Sequence, residues 1–228
     1  KIPLNVKNIK GMTFEFCESL TDIEIPSSVD TIDYKAFGGC KNLTNVKIND
    51  GVKAIDEKAF YDCEKLEHVW LPNTITRIEK ETFFNCLSLK NIKIPNNVTY
   101  IGQNAFFYCK HLNEIVIPNS VTTIDTCAFF NCRGLVKITL SNKLETISNS
   151  AFLNCIELTS ITIPASVKTI EDDAFLRCYK LQKVVLPKTL KEIKANAFND
   201  TDLKSVIISS KTKFDKNAFP SSCTVIKQ

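Results

Sequence analysis

One spacing constrains the fold of this chain more than any other feature: phenylalanine recurs every 23 residues. The column consists of Phe14, Phe37, Phe60, Phe83, Phe106, Phe129, Phe152, Phe175 and Phe198. A leucine column with the same step consists of Leu20, Leu43, Leu66, Leu89, Leu112, Leu135, Leu158 and Leu181. A fixed period of this length is typical of stacked repeats, in which each coil buries its apolar side chains against its neighbours. The sequence therefore predicts a solenoid.

The apolar spacing within one repeat predicts the shape of the coil. Ile161 and Ile163 alternate with polar residues before Pro164, which is typical of a short strand that ends at the proline. From Val167 to Ile170 the spacing becomes three, as expected for tight three-residue turns. Carboxylates that precede the Ala-Phe or Thr-Phe pair by three positions are expected to cap single helical turns rather than to bind calcium. These are Asp33, Asp56, Glu79, Asp125 and Glu171.

The repeat runs through residues 1–228, so we predict a single solenoid domain of about nine to ten coils. Ile2-Pro3 occupies the register of Ile25-Pro26, so the chain starts mid-repeat and is interpreted as a fragment of a longer protein. After Phe198 the register slips, because Leu203 comes one residue early. Residues 198–228 are therefore predicted to form degenerate capping coils, which close the core of a solenoid.

The consensus Leu-x-x-Ile-x-Ile-Pro-x-x-Val-x-x-Ile-x-x-x-Ala-Phe-x-x-Cys resembles the BspA-like class of leucine-rich repeats over essentially the whole chain. The resemblance implies an α/β, β-rich fold: a right-handed solenoid with a parallel strand ladder on one face and short turns or single helical turns on the other. It also implies membership among surface proteins of bacteria and protists that are associated with adhesion and host contact. Local departures are Asn49 and Ser141 for proline, Thr82 for alanine and Thr201 for cysteine.

Composition and motifs argue against several classes of function. The net charge is +4 and no basic block occurs, which disfavours nucleic acid as a partner. No run of about 18 apolar residues is present, so direct membrane insertion is not expected. His68 and His111 are the two histidines. Cys109 belongs to the core column, so a catalytic pair with His111 is disfavoured. We predict no enzyme activity, no cofactor and no metal site.

Eight of the ten cysteines also recur every 23 residues, which stacks them in single file. Parallel thiols on successive rungs lack the geometry of a disulfide or of a tetrahedral zinc site, so we interpret them as small core residues. The column consists of Cys17, Cys40, Cys63, Cys86, Cys109, Cys132, Cys155 and Cys178. Cys127 and Cys223 lie outside it and are candidates for free reactive thiols or intermolecular links.

The predicted strands place two side chains per coil outward, and the only tryptophan lies among them. An exposed aromatic ring surrounded by long polar side chains has the composition of a hot spot for protein or sugar binding. The candidate ligand-binding residues are Lys47, His68, Trp70, Asn91, Lys93, Glu114 and Val116. The alternative is that Trp70 lies flat against the stems of Lys47 and Lys93 and contributes only cation–π packing.

Two further columns are candidate surfaces. The first is predicted to pack along the outer edge between coils, with an exposed interaction strip as the alternative. It consists of Tyr61, Phe84, Phe107, Phe130, Leu153 and Leu176. The second is an apolar patch of Val185 and Ile207, interpreted as a contact with a continuation of the solenoid.

Together these observations favour a non-catalytic recognition or adhesion module at the cell surface or outside the cell. Its predicted partner is a protein or glycan, with the host extracellular matrix as one candidate, and the extracellular location rests on the resemblance. An intracellular interaction scaffold and a structural spacer within a larger surface protein remain alternatives. Self-association, either end to end or through Cys127, is also left open.

Overall fold

Each coil of the chain contributes two short strands, one to each of two parallel ladders. The computed structural model describes residues 1–228. The longer strands form the strand face: β2 (Asp22–Ile25), β4 (Asn45–Ile48), β6 (His68–Trp70), β8 (Asn91–Ile92), β10 (Glu114–Val116), β12 (Lys137–Thr139), β14 (Ser160–Thr162), β16 (Lys183–Val185), β18 (Ser205–Ile208) and β20 (Thr224–Lys227).

The second ladder consists of two-residue strands that alternate along the chain with those of the strand face. They are β1 (Asn8–Ile9), β3 (Thr31–Ile32), β5 (Ala54–Ile55), β7 (Arg77–Ile78), β9 (Tyr100–Ile101), β11 (Thr123–Ile124), β13 (Thr146–Ile147), β15 (Thr169–Ile170), β17 (Glu192–Ile193) and β19 (Lys213–Phe214). All pairings are parallel, and most join residues 23 positions apart, such as Asn45 with His68. The chain is thus a β-solenoid of about ten turns.

Of the two forms predicted for the opposite face, short turns are observed and single helical turns are not. The chain contains no helix, so the predicted α/β class is wrong and the fold is all-β. The three-residue spacing instead reflects successive turns, in which Ala36 N–H donates to the carbonyl of Asp33 at 3.1 Å. Lys35, between them, has a φ of 53° and donates its N–H to Glu57 of the next coil at 3.2 Å. Positive φ at the third residue is a feature of type II turns and interrupts a right-handed helix.

The carboxylates predicted to cap helical turns serve these turns and the second ladder instead. Asp56 and Asp125 accept hydrogen bonds from the N–H of the next residue, at 2.7 and 2.6 Å. Asp33 and Glu79 accept hydrogen bonds from the side chains of Thr31 and Arg77. The acidic positions therefore stabilise the edge of the second ladder locally.

One continuous cluster of 64 buried hydrophobic residues fills the space between the ladders and the turns. The phenylalanine column forms its axis, and the ring centroids of successive coils lie 5.1 to 5.7 Å apart with nearly parallel planes. From Phe37 to Phe198 these rings are fully buried. Each coil therefore depends on both neighbours to cover its largest apolar side chain.

The cysteine column packs in the same core, as the spacing predicts, and it also makes hydrogen bonds. Seven thiols, from Cys40 to Cys178, each lie 3.0 to 3.3 Å from the carbonyl of the phenylalanine 26 residues earlier. Burial raises the pKa of Cys40 to about 11 and that of Cys178 to about 12. These seven thiols are therefore protonated and donate to main-chain acceptors of the preceding coil.

Polar residues that depart from the repeat consensus find local partners. The buried Ser141 hydroxyl donates to the carbonyl of Val121 at 2.6 Å, and that of Thr82 donates to the carbonyl of Glu79 at 2.8 Å. These substitutions are tolerated because a buried hydroxyl is costly only when it lacks a hydrogen bond.

Candidate functional site

All seven predicted site residues lie on the strand face and are exposed to solvent. Trp70 is 54% exposed and Val116 is 64% exposed, whereas Val69, which lies between His68 and Trp70 in β6, is buried. This alternation follows from the two-residue period of a strand with one face on the core.

The strand register brings most of the site residues into adjacent positions. Lys47 is the Cα partner of Trp70 in the neighbouring strand. Asn91 is paired with His68 on one side and with Glu114 on the other. The rings of His68 and Trp70 lie 5.9 Å apart and are tilted by 37°. Four consecutive coils, from β4 to β10, therefore contribute to one continuous patch.

A groove lies in this patch between the coils of β8, which ends at Ile92, and β10, which extends to Val116. Lys93 therefore lies outside the ladder, and the groove beside it has a volume of about 450 Å³. Its polar and rim residues are Asn91, Lys93, Asn96, Glu114, Val116 and Pro118. Sequence reasoning missed Asn96 and Pro118, which belong to the turns after the strands, because no sequence signal marks β8 as shorter than its neighbours.

Toward the N-terminus, the polar side chains of the strand face bind one another. The Lys47 ammonium donates to Glu24 at 2.7 Å, and the Asn45 amide donates to Asp22 at 2.6 Å. These hydrogen bonds lower the pKa of both carboxyl groups. Of the predicted site residues, Lys47 is therefore committed to a partner within the chain.

The side chains around the groove are not paired in this way. Asn91, Lys93 and Glu114 make no hydrogen bond or ion pair within the chain, although Lys90 beside them binds Glu67 at 2.8 Å. No lysine ammonium lies over the Trp70 ring, and the cation–π contacts of the chain involve other rings. The cation–π packing role considered for Trp70 is therefore not observed.

The remaining candidate groups do not converge on a reactive centre. The Cys109 thiol is buried and donates to the carbonyl of Phe83 at 3.2 Å, and His111 Nδ1 lies 2.7 Å from the carbonyl of Leu87. No three His, Cys, Asp or Glu side chains come together in a way that suits a metal ion. The structure also contains no helix of the length and hydrophobicity needed to span a membrane.

The outer column packs between coils, as predicted. The rings of Tyr61, Phe84, Phe107 and Phe130 are half-buried, and their centroids are stacked at 4.6 to 4.9 Å. Cys127, near this edge, is also half-buried, and burial raises the pKa of its thiol. Burial therefore makes this thiol less reactive than a fully exposed cysteine.

The sequence of the chain matches the family described as the BspA type leucine rich repeat region, in six copies over residues 1–113 and 99–226. The chain belongs to the BspA-type leucine-rich repeat family. This is a family of protein-interaction modules, and leucine-rich repeat families are generally non-catalytic. No curated protein matches the chain in sequence.

Solved structures of leucine-rich repeat proteins resemble the chain over most of its length. A leucine-rich repeat protein from Bacteroides ovatus is 31% identical, with a TM-score of 0.84 over 91% of this chain. The chain spans 60% of that protein's length. The T. pallidum leucine-rich repeat protein is 29% identical, with a TM-score of 0.57 over 79% of this chain and 76% of its own. A protein from Eubacterium ventriosum, 21% identical, shares the fold with a TM-score of 0.63 over 97% of this chain and 82% of its own.

Proposed function

We propose that this chain is a non-catalytic recognition module of a cell-surface protein, which binds an extracellular protein or glycan through the strand face around Trp70. The observation that carries the proposal is the coincidence of an exposed tryptophan, a groove of about 450 Å³ and polar side chains with no partner in the chain. At the N-terminal end of the same ladder, by contrast, the polar side chains of Asp22, Glu24, Asn45 and Lys47 are paired with each other.

Each component of the site supplies a different part of the binding energy. The Trp70 ring offers a large apolar surface with a polar N–H, which suits stacking against a sugar ring or an aromatic side chain. Asn91 and Asn96 offer both donors and acceptors, and Lys93 and Glu114 offer opposite charges. Because Asn91, Lys93 and Glu114 have no internal partner, a ligand binds them without first breaking a hydrogen bond within the protein. The groove is large enough to hold one sugar ring or one side chain of a protein ligand.

The proposed location at the cell surface is supported by the BspA-like repeat pattern, whose relatives include surface proteins of bacteria and protists. We treat residues 1–228 as one binding unit, with 198–228 as its terminal coils, because a single hydrophobic cluster runs through the chain. In a solenoid the concave or flat ladder of strands provides an extended surface for a partner.

The proposal is tested by affinity capture with the wild-type chain, Trp70→Ala and Thr162→Ala as immobilised baits. Thr162 occupies the same outward column four coils away and is exposed, so it is a matched control. Each bait is exposed separately to a solubilised extracellular-matrix extract and to a cytosolic lysate. We expect a matrix component to bind the wild type and Thr162→Ala but to be lost with Trp70→Ala. Capture from cytosol alone, or capture that is unaffected by Trp70→Ala, would contradict the proposal.

A further inference from the structure

The strand face is interrupted twice, between β12 and β14 and again between β16 and β18 near the C-terminal end of the chain. β14 pairs with β16 and β18 pairs with β20, but no ladder hydrogen bonds join β16 to β18. The second ladder is continuous at the same level, since Glu192 pairs with Lys213. The rings of Phe198 and Phe219 are also stacked, at 5.5 Å. The two coils are therefore held together at the back and separated at the strand face.

The break between β16 and β18 coincides with a deletion of one residue in the turn that leads into β18. Regular coils have two residues between the cysteine and the leucine, as in Cys178 to Leu181, whereas Thr201 and Leu203 are separated by one. In the regular coil, Gln182 N–H donates to the carbonyl of Thr159 at 2.9 Å. The corresponding residue of the short coil, Lys204, makes no such bond to the preceding coil. Thr159, in the regular coil before β14, also lacks this bond, so the short turn is the feature that distinguishes the break at β18 from the break at β14.

This separation exposes part of the hydrophobic core. Val184 and Leu186 point inward but are only half-buried, whereas their counterparts one coil earlier, Ile161 and Ile163, are buried. A crevice of about 600 Å³ lies between the walls formed by β16 and β18. We call this the C-terminal crevice. Its residues are Gln182–Leu186, Lys188, Ser205–Ser209 and Gln228.

The rim of the C-terminal crevice is basic and contains main-chain groups that lack a ladder partner. Lys183 and Lys188 line the crevice, no acidic residue does so, and neither lysine makes an ion pair. In a parallel sheet, alternate N–H and C=O groups point to each neighbouring strand. The edges of β16 and β18 that face each other therefore present donors and acceptors beside an apolar pocket.

We propose that the C-terminal crevice binds an extended peptide segment of another protein, in which apolar residues alternate with carboxylates. The exposed core favours an apolar side chain, and the two lysines favour carboxylates on either side of it. The main-chain groups on the two edges select a peptide over a lipid, because only a peptide backbone offers donors and acceptors at strand spacing. This site is separate from the patch around Trp70 and takes a different ligand.

The test measures fluorescence anisotropy of a labelled nonapeptide in which aspartate alternates with leucine and valine. Two peptides serve as controls: one has lysine in place of aspartate, and the other is N-methylated at alternate residues and so lacks main-chain donors. We expect the acidic peptide to bind saturably and both control peptides to bind with an affinity lower by roughly tenfold or more. Equal binding of the N-methylated peptide would overturn main-chain pairing, and equal binding of the lysine peptide would overturn the role of the rim.

Two variants locate the site. The first restores the regular turn by combining Thr201→Cys with insertion of one residue between Asp202 and Leu203, which should close the crevice and abolish binding. The second, Lys183→Glu with Lys188→Glu, changes only exposed residues and should weaken acidic-peptide binding by roughly tenfold or more. Lys137→Glu, at the position of Lys183 two coils earlier, is the matched control and should have no such effect.

Three outcomes would overturn the proposal. They are undiminished binding to both crevice variants, absence of binding to the wild type, and dimerisation of the wild type that excludes the peptide. The last outcome would assign the crevice to a second copy of the chain. The Trp70→Ala variant should bind the peptide as the wild type does. The peptide experiment therefore tests the C-terminal crevice independently of the proposed site around Trp70.

Discussion

Truncating one ring in the middle of the phenylalanine column tests how the coils stabilise one another. Phe129 is fully buried, and its ring is stacked on Phe106 at 5.1 Å and on Phe152 at 5.4 Å. Replacing it with alanine removes both stacking contacts and leaves a cavity that crosses the interfaces with two neighbouring coils. The substitution therefore weakens two of the nearest-neighbour interactions on which a solenoid depends.

The expected loss of stability follows from the burial of the Phe129 ring and from its two stacking contacts. Loss of a buried phenylalanine side chain costs about 3 to 5 kcal/mol, which includes the cavity term. Each stacked aromatic pair contributes about 0.5 to 1.5 kcal/mol beyond its buried area. With a ring neighbour on both sides, we expect Phe129→Ala to lie in the upper half of that range, at about 4 to 5 kcal/mol. A loss of this size is a large fraction of the stability of a typical domain.

The matched control is Phe14→Ala, at the start of the same column. Phe14 is only half-buried and has a single ring neighbour, Phe37, at 5.1 Å. We expect this variant to lose about 1 to 2 kcal/mol, since less apolar area and one stacking contact are removed. Urea unfolding followed by circular dichroism measures both free energies. Equal losses at the two positions, or a loss below about 1 kcal/mol for Phe129→Ala, would refute the reasoning.

Two further predictions concern the accessibility of the cysteine thiols and the ionisation of Tyr100. Cys17, Cys127 and Cys223 are half-buried and the other seven thiols are buried, so mass spectrometry should show three thiols alkylated in the native protein and ten in urea. Native alkylation of any of the seven buried thiols would contradict the packing. For Tyr100, burial and the hydrogen bond from its hydroxyl to Asp125 at 2.7 Å raise the pKa from 10.0 to about 12. Because the pKa is raised by folding, the stabilisation is complete below pH 10 and is lost as the pH rises through 12. The stability difference between wild type and Tyr100→Phe should therefore shrink over that interval, and a constant difference would contradict this assignment.

The inward-facing positions were predictable because a 23-residue period repeats the same environment in every coil. Phe129 and the other eight phenylalanines of its column occupy the same position in successive coils. The residues of the core and the outward position of Trp70 therefore follow directly from the spacing. The turn geometry did not follow. A three-residue spacing fits both a helical turn and a series of type II turns, and only the positive φ of residues such as Lys35 separates them.

Features that depend on contacts between coils were also missed. The thiol of Cys40 donates to the carbonyl of Phe14 at 3.0 Å, a partner that no sequence interval suggests. The early position of Leu203 was visible in the sequence. The sequence did not indicate which of the two ladders would lose its pairing there. Likewise, nothing in the sequence indicates that β8 ends at Ile92, so the groove beside Lys93 emerged only from the structure.

The central claim is that ligand binds the strand face around Trp70, and fluorine NMR tests it most directly. Trp70 is the only tryptophan, so growth on fluorotryptophan gives a single resonance that reports on this position even in a protein mixture. On addition of the solubilised matrix extract, we expect the resonance to shift or broaden, in the wild type and in Thr162→Ala alike. A resonance that stays unchanged while affinity capture shows a bound matrix component would place the ligand elsewhere and contradict the claim.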